Sequence, residues 1–142
     1  MTVTSPAFDQ GTIPREYTCH GAGVSPPVYW SGAPQRTRSL ALVLDDSAAP
    51  ITPYVYWIVI NISPAADIQA GRIPQGASVA ENSKGVRGYT PPCPAAAHEY
   101  RFTVYALNTV LRLPEPVTLK EAWTAIAEHA IARGRLTVAA RP

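Results

Sequence analysis

The stretch that most constrains the fold is residues 85–105, where a proline-rich segment leads directly into a run of alternating side chains. Pro91, Pro92 and Pro94 cannot donate to a central sheet ladder, so this part is predicted to be a rigid loop. From His98 onward the sequence HEYRFTVY has the period of a half-buried strand. A rigid loop that brings His98 to the start of a strand suits a small ligand pocket. A solvated histidine on a surface loop is the alternative at this point.

The length and composition predict one compact domain spanning residues 1–142. A chain of 142 residues is large enough to bury roughly two thirds of its unfolded surface. Hydrophobic residues make up 46% and charged residues 15%, which fits a globule rather than a disordered chain. The net charge of +2 comes without a basic run, so no nucleic-acid partner is predicted.

The N-terminal residues lack the basic and apolar regions of a secretory signal, and no apolar run approaches the length of a transmembrane segment. We therefore expect a cytoplasmic protein. In a reducing cytosol Cys19 and Cys93 are expected to be free thiols, with a long-range disulfide as the alternative. Their wide spacing resembles neither a metal knuckle nor a redox pair, so no metal site and no cofactor are predicted.

Two apolar runs predict the central strands. Ser39–Leu44 is nearly continuous, which is typical of a strand covered on both faces, and is expected to stop at Asp45 and Asp46. Tyr54–Ile62 is the longest β-branched and aromatic run in the chain. Residues 64–83 are expected to form a long connection. Shorter strands are predicted at residues 2–8, 28–30, 100–107 and 135–140.

One helix is predicted over residues 118–133. Thr118 and Glu121 have the spacing of a capping box, and Gly134 lies where a helix often stops. Many strands with a single late helix favour a mainly β fold, an antiparallel β-sandwich or a barrel with one or two peripheral helices.

The paired acids at the end of the first central strand are the first candidates for chemistry. Asp45 and Asp46 could act as general acid and base or bind a cation, whereas a solvated turn is the alternative. Successive strand residues point to opposite faces, so only one of them can face a shared pocket, where it could hold His98. The sequence has no GxSxG, HExxH or phosphate-binding glycine motif, which leaves hydrolase chemistry unsupported.

Seven segments resemble, in the same order, the bacterial Raf-kinase-inhibitor-like branch of the phosphatidylethanolamine-binding protein family. They run from about Thr4 to Val138 and read TSPAF, IPREYTC, SPPVYWSGAP, SLALVLDD, VYWIVINI, NSKGVRGYTPPCP and HEYRFTVYAL. The resemblance implies a β-sandwich of two antiparallel sheets in a Greek-key arrangement. It also implies a small pocket at one end of the sandwich that takes phosphate-like or phospholipid head-group anions.

The family's pocket motifs match this chain in part. Asp46 and Pro50 match the first and last residues of the DPDxP motif, His98 and Tyr100 match HxY, and the loop matches much of GYxGPCP. Together with the tyrosine at the position of the family's strand histidine, these matches predict a ligand-binding set, which consists of Asp46, Pro50, Tyr56, Gly88, Pro92, His98 and Tyr100.

The departures from the motifs bear on the ligand. Tyr56 stands where the family has a histidine in the central strand, and Pro91 stands where the loop usually has a glycine. Ser47 and Ala48 replace the inner residues of DPDxP, and alanines replace the proline and glycine before His98. These changes remove donors for an anionic oxygen and add an aromatic surface with a neutral hydroxyl. We infer a retained pocket with an altered ligand, although Tyr56 could instead fill the pocket as a packing residue.

The leading hypothesis is a small-ligand binding protein. The alternative is an enzyme that acts on a less charged small molecule, such as a biosynthetic intermediate, with Asp46, Tyr56 or His98 as acid or base. A third hypothesis is a structural or oligomerising role, for which we expect a homodimer because symmetric dimers are the commonest assemblies. Inhibition of a kinase or protease partner is implied by the family resemblance alone.

Overall fold

The structure is a computed structural model that describes residues 1–8, 11–46 and 54–142. Antiparallel β-strands dominate it, accompanied by a short 3-10 helix at Arg15–Tyr17. The strands and the α-helix of these residues are β1 (Thr2–Thr4), β2 (Tyr29–Ser31), β3 (Ser39–Asp46), β4 (Tyr54–Ile62), β5 (Ser78–Val79), β6 (His98–Leu107), α1 (Leu119–His129) and β7 (Ala130–Ala140).

The main sheet has the strand order β5-β4-β3-β6-β7, with antiparallel neighbours throughout, and β1 pairs with β2 in a second, two-stranded sheet. The strand β6 returns by a long connection to lie beside β3, which gives the spatial order of a Greek key in β6-β3-β4-β5. The predicted mainly β, antiparallel class is therefore confirmed.

The main sheet is covered on both faces, as predicted for its central strand. On one face, alternate residues of β3 such as Leu40, Leu42 and Leu44 pack in a cluster with Val28 and residues of the N-terminal segment. On the other face, Ala41 and Val43 pack in a second cluster that contains the inner side of α1. Burial of apolar side chains on both faces is what holds β3 in the centre.

The start of the helix is predicted correctly and its end is not. Thr118 caps α1 through a complete capping box with Glu121. The helix ends at His129 rather than at residue 133, because β7 begins at Ala130 and pairs along the whole of β6. Gly134 lies inside β7, where a Cβ atom would come 2.6 Å from the carbonyl oxygen of Met1. Pairing between distant strands thus overrides the local helical pattern.

Several strand bounds also differ from the prediction: β1 ends at Thr4 rather than at residue 8, β6 begins at His98 rather than at residue 100, and β7 begins at Ala130 rather than at residue 135. The strand β3 continues through Asp45 and Asp46, since both residues pair with β4 and β6. The connection over 64–83 contains β5 at Ser78–Val79, a strand that is too short for a sequence signal. Within the described ranges, no helix combines the length and the apolarity that a membrane span requires.

The capping box predicts a measurable stability effect. Replacement of Thr118 by alanine removes the side-chain acceptor for the Glu121 backbone N–H. We expect Thr118→Ala to lower the free energy of unfolding by about 1 kcal/mol in urea denaturation. Thr118→Ser is the matched control, because serine retains the hydroxyl and should keep most of the stability. Equal stability of the alanine variant and the original protein would contradict this role.

Candidate ligand pocket

The register of three neighbouring strands brings the predicted polar residues to one end of the main sheet. Asp46, the last residue of β3, pairs with Tyr54 of β4 on one side and with Tyr100 of β6 on the other. Residues directly opposite in a sheet place their side chains on the same face. His98 lies two residues before Tyr100 and therefore shares that face.

Tyr56 lies two residues after Tyr54 and therefore reaches the same face, and an irregularity in β4 brings Trp57 to that face as well. The pairing between β3 and β4 shifts between Leu44 and Asp45, so that Leu44 pairs with Trp57 while Asp45 pairs with Val55. Tyr56 is the extra residue of this β-bulge. Tyr56 and Trp57 consequently both pack against the same core cluster, although they are adjacent in sequence. A bulge commonly re-aims a side chain in this way next to a functional site.

The two aspartates have different partners. The Asp46 carboxylate is 2.6 Å from Nε2 of His98, and the side chains are 15% and 32% exposed respectively. Asp45 accepts two hydrogen bonds from the Arg101 guanidinium, at 2.9 and 2.8 Å, and its hydrogen bond raises the pKa of Arg101. Asp45 is thus part of a structural ion pair, and Asp46 is the aspartate that faces the cavity.

Two tyrosines complete the polar surface. The rings of Tyr56 and Tyr100 meet edge to face with centroids 5.5 Å apart, and Tyr100 also contacts the His98 ring at 5.2 Å. Desolvation raises the pKa of Tyr56 well above its ordinary value, with further contributions from Tyr100 and Asp46. Desolvation and then Asp46 raise the pKa of Tyr100 as well. Both phenols are therefore neutral near pH 7 and can donate hydrogen bonds.

These side chains line a cavity of about 280 Å³, small for a ligand site and of a size that suits a compact polar group. Four of the predicted residues line it, namely Asp46, Tyr56, His98 and Tyr100. Gly88 and Pro92 lie in the adjoining loop but outside the cavity lining, and Pro50 lies outside the described residues. The other wall consists of Cys93 and Pro94, which belong to the predicted rigid loop, and of Ala95 and Ala96, which the predicted site did not include.

Asn82 is a positioning residue that sequence reasoning missed. Its amide group donates to the carbonyl oxygens of Tyr56 and Gly88 and to the Thr90 hydroxyl, at 2.7 to 3.1 Å. Its side-chain oxygen accepts from the backbone N–H groups of Lys84 and Val86. The side chain is almost fully buried. The family-like NSKG segment marks this position in the sequence, but its partners become apparent only in the fold.

A disulfide joins Cys19 to Cys93, so the expectation of free thiols is wrong. The two Cα atoms are 5.1 Å apart although 74 positions separate the residues. Hydrogen bonds between the two segments explain the proximity, since the Cys19 N–H donates to the carbonyl oxygen of Pro92 at 3.0 Å and the Tyr89 hydroxyl donates to that of Tyr17. The bond attaches the pocket wall to the segment that follows the 3-10 helix.

The fold and the site together define the class of protein. It is a small, mainly antiparallel β protein with a polar, aromatic-lined pocket at the end of its central strands. The sequence profile of the family described as phosphatidylethanolamine-binding protein matches residues 3–141. The chain belongs to the phosphatidylethanolamine-binding protein family, which confirms the resemblance drawn from its motifs.

Similar proteins agree with this assignment. A protein of Methanothermobacter thermautotrophicus named UPF0098 protein is 38% identical and covers 96% of this chain and 95% of its own length. A candidate lipoprotein of Mycobacterium tuberculosis, LppC, is 43% identical over 96% of this chain and 70% of its own length. The crystal structure of a homologue from Chlamydia trachomatis matches with a TM-score of 0.86 at 37% identity, covering 97% and 95% of the two chains. Escherichia coli YbcL matches with a TM-score of 0.88 at 25% identity, covering 99% and 98%.

Removal of the buried Asn82 side chain is predicted to destabilise the pocket loop, which spans residues 85–97. Asn82→Ala leaves the Gly88 carbonyl and the Val86 N–H without their partner. We expect a loss of about 1–3 kcal/mol in the free energy of unfolding, measured by urea denaturation. Asn108→Ala is the matched control, because the Asn108 side chain is exposed and bonds to His129 at the surface, so its effect should stay within about 0.5 kcal/mol. Equal effects of the two substitutions would contradict this role.

The raised tyrosine pKa values predict a loss of stability at alkaline pH. Tyrosines of the unfolded chain ionise near pH 10, whereas the folded state keeps the protons of Tyr56 and Tyr89 at higher pH. This stabilising contribution is therefore complete below about pH 10 and is lost as the pH rises above it. Urea unfolding at a series of pH values should show the decline, and Tyr56→Phe should make it shallower. An unchanged pH dependence in that variant would contradict the assignment to Tyr56.

Proposed function

We propose that this chain is a small-ligand binding protein and that its end pocket holds a compact polar group. The observation that carries the proposal is the Asp46–His98 pair at 2.6 Å beside two neutral phenols in a cavity of about 280 Å³. Rigid elements hold all of these groups, so little conformational entropy is lost when a ligand binds. Family membership supports ligand binding in general, and the side chains of the pocket indicate which kind of ligand it holds.

The charges of the pocket favour a ligand that carries a cationic group as well as an anionic one. The Asp46 carboxylate attracts an ammonium group and repels a highly charged anion. Tyr56 and Tyr100 supply donors for phosphate or carboxylate oxygens, while Nε2 of His98 donates to the Asp46 carboxylate. A zwitterionic head group such as phosphoethanolamine can bind both the carboxylate and the donors, whereas inorganic phosphate can bind only the donors.

Tyr56 is the residue that shifts this preference. A protonated histidine at position 56 would add a positive charge near the Asp46 carboxylate, and the phenol adds none at neutral pH. The phenol still offers one hydrogen bond and an aromatic edge. Tyr56 therefore lowers the affinity for dianions without closing the site to polar ligands.

Three further hypotheses from the sequence stay predictions. Asp46 could orient His98 as a general base, and this geometry supports the enzyme hypothesis. The homodimer stays a prediction from the sequence.

The cytoplasmic location is also a prediction, and two observations weigh against it. Disulfides such as Cys19–Cys93 persist mainly in oxidising compartments, and LppC is named as a candidate lipoprotein.

Titration with two probes tests the proposal. We expect phosphoethanolamine to bind saturably at millimolar concentration and more tightly than inorganic phosphate, measured by chemical-shift changes in NMR spectra of the protein. His98→Ala should weaken phosphoethanolamine binding about tenfold or more, because it removes the charge-assisted hydrogen bond that orients the Asp46 carboxylate. Tyr56→His should raise the affinity for phosphate more than the affinity for phosphoethanolamine.

The control is His129→Ala, which removes a partly buried histidine at the end of α1, beside the end of β6 that is opposite to His98. Its binding should match that of the original protein. Absence of saturable binding by both probes would refute the anion-binding part of the proposal. Tighter binding of phosphate than of phosphoethanolamine would refute the argument from the Asp46 charge.

A further inference from the structure

The two cysteines have a third potential ligand beside them. Cys19, His20 and Cys93 place their sulfur and ring-nitrogen atoms within 4.8 Å of one another, and all three residues are exposed. The first two are adjacent in sequence and the third comes from the pocket loop. Nothing in the sequence spacing indicates this cluster, because the fold alone brings Cys93 to the other two.

We infer that the reduced form of this protein binds a thiophilic divalent ion, with Zn²⁺ as the representative, through Cys19, His20 and Cys93. Two thiolates and one imidazole form a common zinc ligand set, and a water molecule can take the fourth tetrahedral position. In the oxidised form the sulfurs are bonded to each other and cannot serve as thiolate ligands. The two cysteines can therefore form either the disulfide or the metal site, but not both at once.

The distances are compatible with a tetrahedral ion. Zinc lies about 2.3 Å from sulfur and about 2.0–2.1 Å from nitrogen, so its ligand atoms are about 3.5–3.8 Å apart. Once the disulfide is broken, non-bonded contact alone separates the sulfurs to nearly this distance. The His20 ring needs to approach by only about 1 Å, and its exposure leaves it free to do so.

Hydrogen bonds hold the ligand segments in addition to the disulfide. The Cys19 N–H donates to the Pro92 carbonyl, and the His20 N–H donates to the Thr18 hydroxyl, which itself donates to the carbonyl of Arg15. The Cys19–Pro92 bond joins the two segments without the disulfide, and the other two bonds hold His20 within its own segment. The site is therefore largely preorganised, which lowers the cost of binding an ion.

The second nitrogen of His20 has a partner of the kind that metal-bound histidines usually have. Nε2 lies 3.4 Å from the carbonyl oxygen of Pro94. A metal-bound histidine normally donates its other ring N–H to a carbonyl or carboxylate oxygen, which fixes the tautomer. With Nε2–H directed at Pro94, Nδ1 carries the lone pair for the metal ion.

The chemistry balances with a dithiol reductant. The reductant supplies two electrons, the Cys19–Cys93 bond breaks through a mixed disulfide, and the reductant leaves as its own disulfide. The two new thiols carry one proton each. Binding of Zn²⁺ then releases both protons and leaves a neutral dithiolate complex with His20 and water.

Zinc titration of the full chain tests the inference. We expect one Zn²⁺ per chain after reduction and removal of the reductant under anaerobic conditions, measured by competition with a chromophoric chelator. The oxidised protein should bind none at the same concentration, and thiol titration should count two thiols only in the reduced sample. With Co²⁺ as the probe, reduced protein should show thiolate-to-metal charge-transfer absorption.

Variants separate this site from other binding. His20→Ala should lower the zinc affinity by roughly 10–100-fold or more, because loss of a hydrogen-bond partner of a ligand already costs that much. His129→Ala should leave the zinc affinity unchanged. The double variant Cys19→Ser with Cys93→Ser should bind no zinc and give no charge-transfer band. Equal affinity of oxidised and reduced protein, or of His20→Ala and the original, would overturn the inference.

Circular dichroism covers the case in which reduction unfolds the chain. If the metal-free reduced protein loses its β-sheet spectrum, one equivalent of Zn²⁺ should restore that spectrum in the original sequence but not in the double serine variant. Failure of zinc to restore it would overturn the inference. Phosphoethanolamine binding by the oxidised protein is measured separately, so failure of the zinc site and failure of the pocket are distinguishable.

Discussion

Pairing of β3 with a neighbour on each side is the constraint on which the rest of the structure depends. The strand is buried on both faces, and its last residue meets Tyr54 across one ladder and Tyr100 across the other. A shift of one residue in either ladder would turn a strand's apolar side chains away from the core that they fill. The same register that buries the core therefore also assembles Asp46, Tyr100 and His98 at one end of the sheet.

The pocket loop depends on that sheet but is held by contacts of its own. Asn82 bonds to the loop backbone and to the carbonyl oxygen of Tyr56, so the loop and β4 are positioned by one side chain. The Cys19–Cys93 bond and the Tyr89 hydroxyl attach the other side of the loop to the N-terminal segment. A wall held at several points can present a cavity without a large entropy cost when a ligand enters.

Charge at this end of the sheet is divided between two aspartates with different environments. Asp45 is nearly buried and fully engaged with Arg101, and a buried carboxylate is tolerated in a protein only when it is paired in this way. Asp46 points to the opposite face, where it meets His98 and an open cavity. The alternation of side chains along a strand thus separates a structural ion pair from a group that a ligand can reach.

Much of this protein was determined by its sequence alone. The apolar run of β4, the double burial of β3, the capping box at Thr118 and the alternation from His98 all follow from local pattern, and the ordered motifs identify the family. Tertiary structure alone decided the rest: the end of α1 at His129, the bulge that puts Tyr56 and Trp57 on one face, and the meeting of Cys19 with Cys93. The physical reason is that periodicity and caps act within a few residues, whereas register, bulges and cross-links are set by contacts between segments far apart in the chain.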